Sequence, residues 1–161
     1  MTLSNVKIRM TTIPGVFAWV LLILHWGFVL VHYPDLPALI PIHFDAAGEP
    51  DSYGNRIIFW LLPAINTALF ALLLVLSRYP HRLNYPVSIT PSNTEALYRY
   101  GVSTLQFLQL SVTALFSLIT WQTARIAMGY SDGLGVWMLP LVLSLVFLPL
   151  LVFVYRCYTL R

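Results

Sequence analysis

The stretch that decides the fold is IPGVFAWVLLILHWGFVLV, residues 13–31, in which His25 is the one ionisable side chain. A helix needs about 20 mainly apolar residues to cross the hydrocarbon core of a bilayer. Three further stretches meet this requirement, at residues 57–76, 100–124 and 134–155. The sequence therefore predicts an all-α integral membrane protein, with residues 1–161 forming one transmembrane domain, a four-helix bundle.

The composition of the chain agrees with a membrane protein. Of its 161 residues, 58% are hydrophobic and only 9% are charged, and the mean hydropathy is +0.76. A soluble domain usually carries about 25% charged residues, which it needs to cover a water-facing surface. The nine basic residues are scattered along the chain and the net charge is only +3. We therefore expect membrane lipid around the protein and no nucleic-acid partner.

The distribution of basic residues predicts the orientation of the bundle. One side holds seven of them, namely Lys7, Arg9, Arg78, Arg82, Arg99, Arg156 and Arg161. The other side holds two, Arg56 and Arg125. Short loops rich in Lys and Arg stay in the cytoplasm, so we predict cytoplasmic N and C termini. Residues 32–56 then form an outer loop and residues 77–99 an inner loop.

The outer loop concentrates the acidic residues of the chain. Its stretch IPIHFDAAGEPDSYGNR covers residues 40–56, and the loop as a whole holds four of the six carboxylates, Asp35, Asp45, Glu49 and Asp51. Gly48 and Pro50 predict a turn, and Asp51 is a candidate N-cap for the helix that enters the second span. Arg56 can pair with one of the neighbouring carboxylates. We therefore expect a folded, hairpin-like lid that displays a polar surface.

The same loop offers candidate metal ligands, since imidazole and carboxylate groups bind zinc and other divalent ions. The four residues concerned are His43, Asp45, Glu49 and Asp51. Their spacing differs from strong zinc signatures such as His-Glu-x-x-His, and His43 can instead lock the turn by hydrogen bonding. No cofactor is expected and no catalytic residue is assigned. An outer-face metal site or metal-dependent enzyme stays open as an alternative.

Polar side chains also occur inside the predicted spans. Those of the third span follow spacings of three or four, which places them on one helix face: Gln106, Gln109, Thr113, Ser117 and Thr120. Asn66 in the second span and His25 in the first could face this stripe. Hydrogen bonding between helices accounts for such residues, and of this set only His25 is ionisable. A small transporter-like bundle, with the stripe lining a path, is a further alternative.

The two loops resemble a known bacterial membrane family. The outer loop has the family's residues at Leu36, Pro37, Ile40, Pro41, His43, Phe44, Gly48, Pro50, Asp51 and Gly54, with Arg56 in place of the usual Lys. The inner segment NYPVSITPSNTEALYR is similar to a second stretch at Asn84, Tyr85, Pro86, Asn93 and Tyr98. The chain thus resembles the SdpI-like family, whose short domain of unknown function is shared with toxin-immunity proteins.

The resemblance implies a non-enzymatic protein of the bacterial inner (cytoplasmic) membrane that acts by binding. Its partner would be a peptide or a membrane protein, in an immunity or signalling role or as an accessory subunit of a larger complex. The oligomeric state is left open. The outer-loop residues that would form the structural or binding surface are Pro41, His43, Phe44, Asp45, Gly48, Glu49, Pro50, Asp51, Gly54 and Arg56.

Overall fold

The computed structural model describes residues 13–161 and contains four long helices. They are α1 (Ile13–His32), α2 (Leu61–Ser77), α3 (Thr94–Ala127) and α4 (Met138–Tyr158). All four are long and apolar enough to cross a membrane, which confirms the predicted fold class of a helical, multi-pass membrane protein. The direction of crossing stays a prediction, and Lys7 and Arg9, on which it partly depends, lie outside the described residues.

Helix α3 is the centre of the bundle, since it packs against α1, α2 and α4. Its 34 residues extend beyond the predicted span 100–124 at both ends. Helix α4 lies at the periphery, where Met138 and Cys157 are its buried residues. The other α4 side chains are mostly apolar and face outward, as expected for a helix whose surroundings are lipid.

The segment between α1 and α2 folds into a two-stranded antiparallel hairpin. Its strands are β1 (Leu39–Phe44) and β2 (Pro50–Asn55), and a short 3-10 helix (Arg56–Trp60) leads from β2 into α2. Each strand has six residues and contains proline, a residue that is confined to strand edges and ends because it lacks an N–H group. The expected lid is thus a small β-hairpin on a helical bundle. We call this side of the bundle the hairpin end and the side of residues 13 and 158 the terminal end.

A cluster of buried apolar side chains holds the hairpin against the helices. Its members come from α1, the hairpin segment, the 3-10 helix and α3, namely Val29, Leu36, Ile40, Phe59 and Ala124. A second cluster, closer to the terminal end, joins Ala18 and Leu22 to Phe70. The hairpin therefore rests on a packed floor and is not a free loop.

Candidate functional site

The turn of the hairpin is fixed by Asp45 and Gly48. The Asp45 carboxylate accepts hydrogen bonds from the N–H groups of Ala47, at 2.8 Å, and Glu49, at 2.9 Å. The Gly48 N–H donates to the Asp45 carbonyl at 3.0 Å. Gly48 has φ +82°, a left-handed conformation that glycine adopts without steric cost. Asp45 therefore shapes the turn with its carboxylate, and the turn between the strands is where Gly48 and Pro50 predict it.

His43 and Asp51 join the two strands near the turn. The His43 Nδ1 atom lies 2.6 Å from a carboxylate oxygen of Asp51, and the side chains are 69% and 46% exposed. Asp51 lies inside β2, so the prediction that it caps the helix into span two is wrong. Asn55 has the capping role, accepting a hydrogen bond from the Ile57 N–H at 2.9 Å. The histidine–carboxylate pair fastens the hairpin from its solvent side.

Arg56 binds the base of the hairpin and not its acidic side chains. Its Nη1 atom donates to the Leu36 carbonyl at 2.9 Å, and its guanidinium lies 5.3 Å from the centre of the Tyr33 ring. The predicted pairing of Arg56 with Asp45, Glu49 or Asp51 is therefore wrong. A planar guanidinium can donate a hydrogen bond to a carbonyl and stack on an aromatic ring at the same time. Arg56 does both, and it does not pair with the hairpin's carboxylates.

The hairpin turn is latched to the connection between α3 and α4. The Leu134 N–H donates to the Gly48 carbonyl at 2.7 Å, and Leu134 is buried. Gly133 and Gly135 flank this bond, and the backbones approach too closely for side chains. A Cβ atom added to Gly133 would lie 2.5 Å from the Gly48 oxygen, and one added to Gly48 would lie 2.7 Å from the Gly135 nitrogen. We call Gly48, Gly133, Leu134 and Gly135 the glycine latch.

The hairpin exposes both apolar and acidic side chains. Leu39 is 62% exposed and Tyr53 is 59% exposed, and Glu49 at the turn is also exposed. Residues 39–55 hold three carboxylates and no Lys or Arg. Exposed apolar groups rimmed by polar ones are typical of interaction sites. We call the exposed side chains of Leu39, Glu49 and Tyr53 the hairpin surface.

The remaining outer-loop residues have structural positions. Pro41 is buried, and Phe44 lies with it along a small apolar cavity beneath the hairpin. Pro50 opens β2 opposite Phe44. Gly54 lies against Ile42, where an added Cβ would meet the isoleucine side chain at 2.9 Å. These residues support the shape of the hairpin.

The four candidate metal ligands do not converge. His43 contacts Asp51, whereas the Asp45 carboxylate is engaged by backbone N–H groups of the turn. Within residues 13–161, no three His, Cys, Asp or Glu side chains are grouped so that they could hold a metal ion. The hairpin brings two of the predicted ligands, His43 and Asp51, together, and no third ligand lies beside them among the described residues.

Two of the inner-loop residues, Tyr85 and Tyr98, lie against each other near the terminal end. The Tyr85 ring lies 5.8 Å from the rings of both Tyr98 and Phe153, measured between centres. Burial raises the pKa of the Tyr85 hydroxyl, with smaller contributions from Tyr98 and Cys157, so this group stays protonated and donates to the Pro80 carbonyl at 3.0 Å. Tyr85 therefore ties the loop to both α3 and α4.

Asn93 ties the same loop to the end of the chain. Its side-chain oxygen accepts from the Thr90 N–H at 2.8 Å, and its amide nitrogen donates to the carbonyls of Ser88 and Leu160. Asn84 and Pro86 are exposed. The inner-loop residues thus include two anchors, Tyr85 and Asn93, that fix the terminal end of the bundle.

A polar cluster is buried in the middle of the bundle. The Asn66 amide nitrogen lies 3.0 Å from His25 Nδ1, and His25 Nε2 lies 2.8 Å from the Thr120 hydroxyl. These contacts join α1, α2 and α3 through side chains that are at most 2% exposed. Because the amide N–H donates to Nδ1, the neutral imidazole donates to Thr120 through Nε2. The cluster therefore fixes the register of three helices.

The rest of the polar stripe lies on the same side of α3. Gln109 donates to the Phe70 carbonyl at 3.2 Å, and Gln106 and Thr113 are buried. The Asn66 side-chain oxygen and the Thr113 hydroxyl are buried without a hydrogen-bond partner among the described residues. Gln109 and Thr120 thus bond to neighbouring helices, as interhelical packing requires, whereas Ser117 donates to the Thr113 carbonyl of its own helix.

Replacing His25 with Leu is expected to lower the free energy of unfolding by about 1–2 kcal/mol, because Asn66 and Thr120 lose a partner in a buried site. The measurement is unfolding in mixed micelles, followed by tryptophan fluorescence. In a double-mutant cycle with Thr120→Val, we expect a coupling of at least about 0.5 kcal/mol. Exposed His81 supplies the matched control, His81→Leu, with little expected change. Additive effects of the His25 and Thr120 changes would contradict the network.

Comparison with known proteins gives a partial match. Residues 20–67 match the model of a family described as "Domain of unknown function (DUF1648)". This segment holds most of α1, the hairpin and the first turns of α2. An uncharacterized protein of Archaeoglobus fulgidus is 36% identical over 69 residues, covering 38% of this chain and 38% of that protein. The chain thus spans about 38% of the length of this curated relative. No solved structure matches the chain.

The match covers the hairpin but only one residue of the glycine latch. Residues 20–67 include Gly48, whereas its partners Gly133 and Gly135 lie beyond them. Sequence reasoning missed this contact, although the stretch SDGLGV at residues 131–136 holds a signal. Two glycines in so short a connection indicate a close backbone approach or a special backbone conformation. The pattern does not reveal which segment approaches.

Proposed function

We propose that the chain is a non-enzymatic protein of the bacterial inner membrane, of the SdpI-like type, and that its hairpin faces outward and binds a peptide. The observation that carries the proposal is the hairpin surface, a packed and latched platform with exposed apolar and acidic side chains. Of the seven Arg residues that the structure describes, five lie toward the terminal end and two toward the hairpin end, which supports the outward orientation.

The chemistry of the hairpin surface favours a cationic, amphipathic peptide. The segment 39–55 carries three carboxylates without a basic residue, so it attracts positive charge. Leu39 and Tyr53 supply apolar contact area on the same hairpin, and tyrosine is enriched among residues that dominate binding energy. Both strands also have an unpaired edge, because the sheet has two strands. An extended peptide could add to such an edge. Immunity to a secreted peptide is the role that fits this surface best.

Cysteine labelling in intact cells tests orientation and binding together. In a Cys157→Ser background, we expect Tyr53→Cys to react with a membrane-impermeant maleimide added outside. A synthetic cationic amphipathic peptide should slow this reaction about tenfold at about ten times its Kd. The measurement is the labelling rate as a function of peptide concentration, from which the Kd is also obtained.

Two matched positions control the experiment. Asp132→Cys places a thiol at an exposed position of the hairpin end but off the hairpin, and it should be labelled at a rate that the peptide does not change. Ser92→Cys, exposed near the terminal end, should react only after lysis. Labelling of Ser92→Cys in intact cells would overturn the orientation. Equal slowing at positions 53 and 132 would overturn binding by the hairpin surface.

A further inference from the structure

A cleft of about 480 Å³ opens between α3 and α4 toward the terminal end. The polarity of the residues that line the cleft changes along its length. Arg156 and Tyr100 lie at one end, Ser103 and Thr104 follow one turn deeper, and Phe107 and Leu148 lie beyond them. Since α3 and α4 are antiparallel, each level combines residues from both helices. The cleft thus runs from a cation, through two hydroxyl groups, to an apolar end.

Among the described residues, Arg156 at the entrance of the cleft has no carboxylate partner. Within residues 13–161, the one contact between a basic and an acidic side chain joins His43 to Asp51 at the hairpin end. The Arg156 guanidinium lies 6.0 Å from the centre of the Tyr100 ring, and the residue is exposed. A cation above an aromatic ring keeps its N–H donors free for an anion. The entrance therefore presents an uncompensated positive charge at the end of a transmembrane helix.

The depth and polarity of the cleft match those of a membrane lipid. A glycerophospholipid has a phosphate at the interface, ester oxygens below it and acyl chains in the hydrocarbon core. Arg156, the hydroxyl pair and the apolar end follow the same order. Pro149, inside α4, also lines the cleft, and an interior proline disturbs regular helix geometry at such a point. Basic pockets between transmembrane helices bind phospholipid headgroups.

We propose that this cleft is a binding site for one glycerophospholipid. Its phosphate binds Arg156, its ester groups lie at Ser103 and Thr104, and one acyl chain packs against Phe107 and Leu148. The site is separate from the hairpin surface, so it does not depend on the proposed peptide. A lipid held there joins α4, which is peripheral, to the central helix α3.

Native mass spectrometry of the purified full chain tests the site with phosphatidylglycerol as the probe. Arg156→Gln removes the charge, and Val152→Phe narrows the cleft at a half-exposed position while keeping the charge. We expect each change to weaken phosphatidylglycerol binding about tenfold, the effect of losing a charge-assisted hydrogen bond or the space for a chain. The matched control is Arg82→Gln, since Arg82 also lies over an aromatic ring, that of Tyr79, but outside the cleft.

The outcomes separate specific binding from general attraction of lipid. Diacylglycerol, which lacks phosphate, and glycerol 3-phosphate, which lacks chains, should each bind at least about tenfold more weakly than phosphatidylglycerol. Retention of phosphatidylglycerol by Arg156→Gln at the unmodified level would overturn the phosphate assignment, as would tight binding of diacylglycerol. Equal weakening by Arg82→Gln would show that surface charge alone attracts the lipid, and unchanged binding by Val152→Phe would exclude the cleft.

Discussion

Alanine in place of Gly133 is expected to lower the free energy of unfolding by about 2–4 kcal/mol and to release the hairpin turn from the connection between α3 and α4. The added Cβ would lie 2.5 Å from the Gly48 carbonyl oxygen. That oxygen belongs to the backbone, so it cannot move aside as the end of a flexible side chain can. Overpacking costs about 1–3 kcal/mol, and separation of the turn also breaks the Leu134–Gly48 hydrogen bond, worth about 1 kcal/mol.

Unfolding in mixed micelles gives the size of the effect, and amide hydrogen exchange at residues 45–49 gives its location. Gly129→Ala is the matched control, because Gly129 has φ +77° with no atom within 4 Å of an added Cβ. This change carries the cost of a left-handed alanine, about 1–2 kcal/mol, without a clash. Faster exchange at the turn should occur with Gly133→Ala alone. If both variants leave exchange at the turn unchanged, the latch does not hold the hairpin.

The four helices could be predicted because lipid imposes a requirement that is visible locally. A span must be long and apolar regardless of its neighbours, so residues 57–76 indicate a helix with no knowledge of α3. The apolar run marks only the part of a helix that lies in lipid, and α3 begins before it, at Thr94. Its first turns lie beyond the continuous apolar run and are held by Tyr98 and Asn93.

The roles of the polar side chains depend on partners that are distant in sequence. Aspartate is a residue type that often caps helices. Asp51 instead lies in β2, where its carboxylate is 2.6 Å from His43 on the opposite strand. Arg56 has acidic neighbours in sequence, whereas the Leu36 carbonyl is its partner in space. Sequence rules for helix caps and ion pairs consider residues that are close in the chain. In this hairpin, contacts between the two strands determine which partners the polar side chains have.

Removing the Phe59 ring should have the largest effect on the hairpin end. Phe59 is 1% exposed and belongs to the cluster of Val29, Ile40 and Ala124, so it joins α1, β1 and α3 beneath the hairpin. We expect Phe59→Ala to lower the free energy of unfolding by about 3–5 kcal/mol, through lost apolar contact and the cavity left behind. The measurement is unfolding in mixed micelles.

Two further variants test whether Phe59 supports the hairpin or whether losing any phenyl ring has the same effect. Phe147 in α4 is 53% exposed, so Phe147→Ala removes the same ring from a lipid-facing position and should cost less than about 1 kcal/mol, since no cavity forms. Phe59→Leu, which fills part of the space, should fall between the two. Because the floor of the hairpin surface includes Phe59, Phe59→Ala should also abolish peptide protection at position 53 while the helical circular dichroism persists. If the peptide still protects position 53 in Phe59→Ala, the hairpin surface does not need the buried cluster beneath it. The His43–Asp51 pair and the glycine latch would then be sufficient to hold the shape of the hairpin.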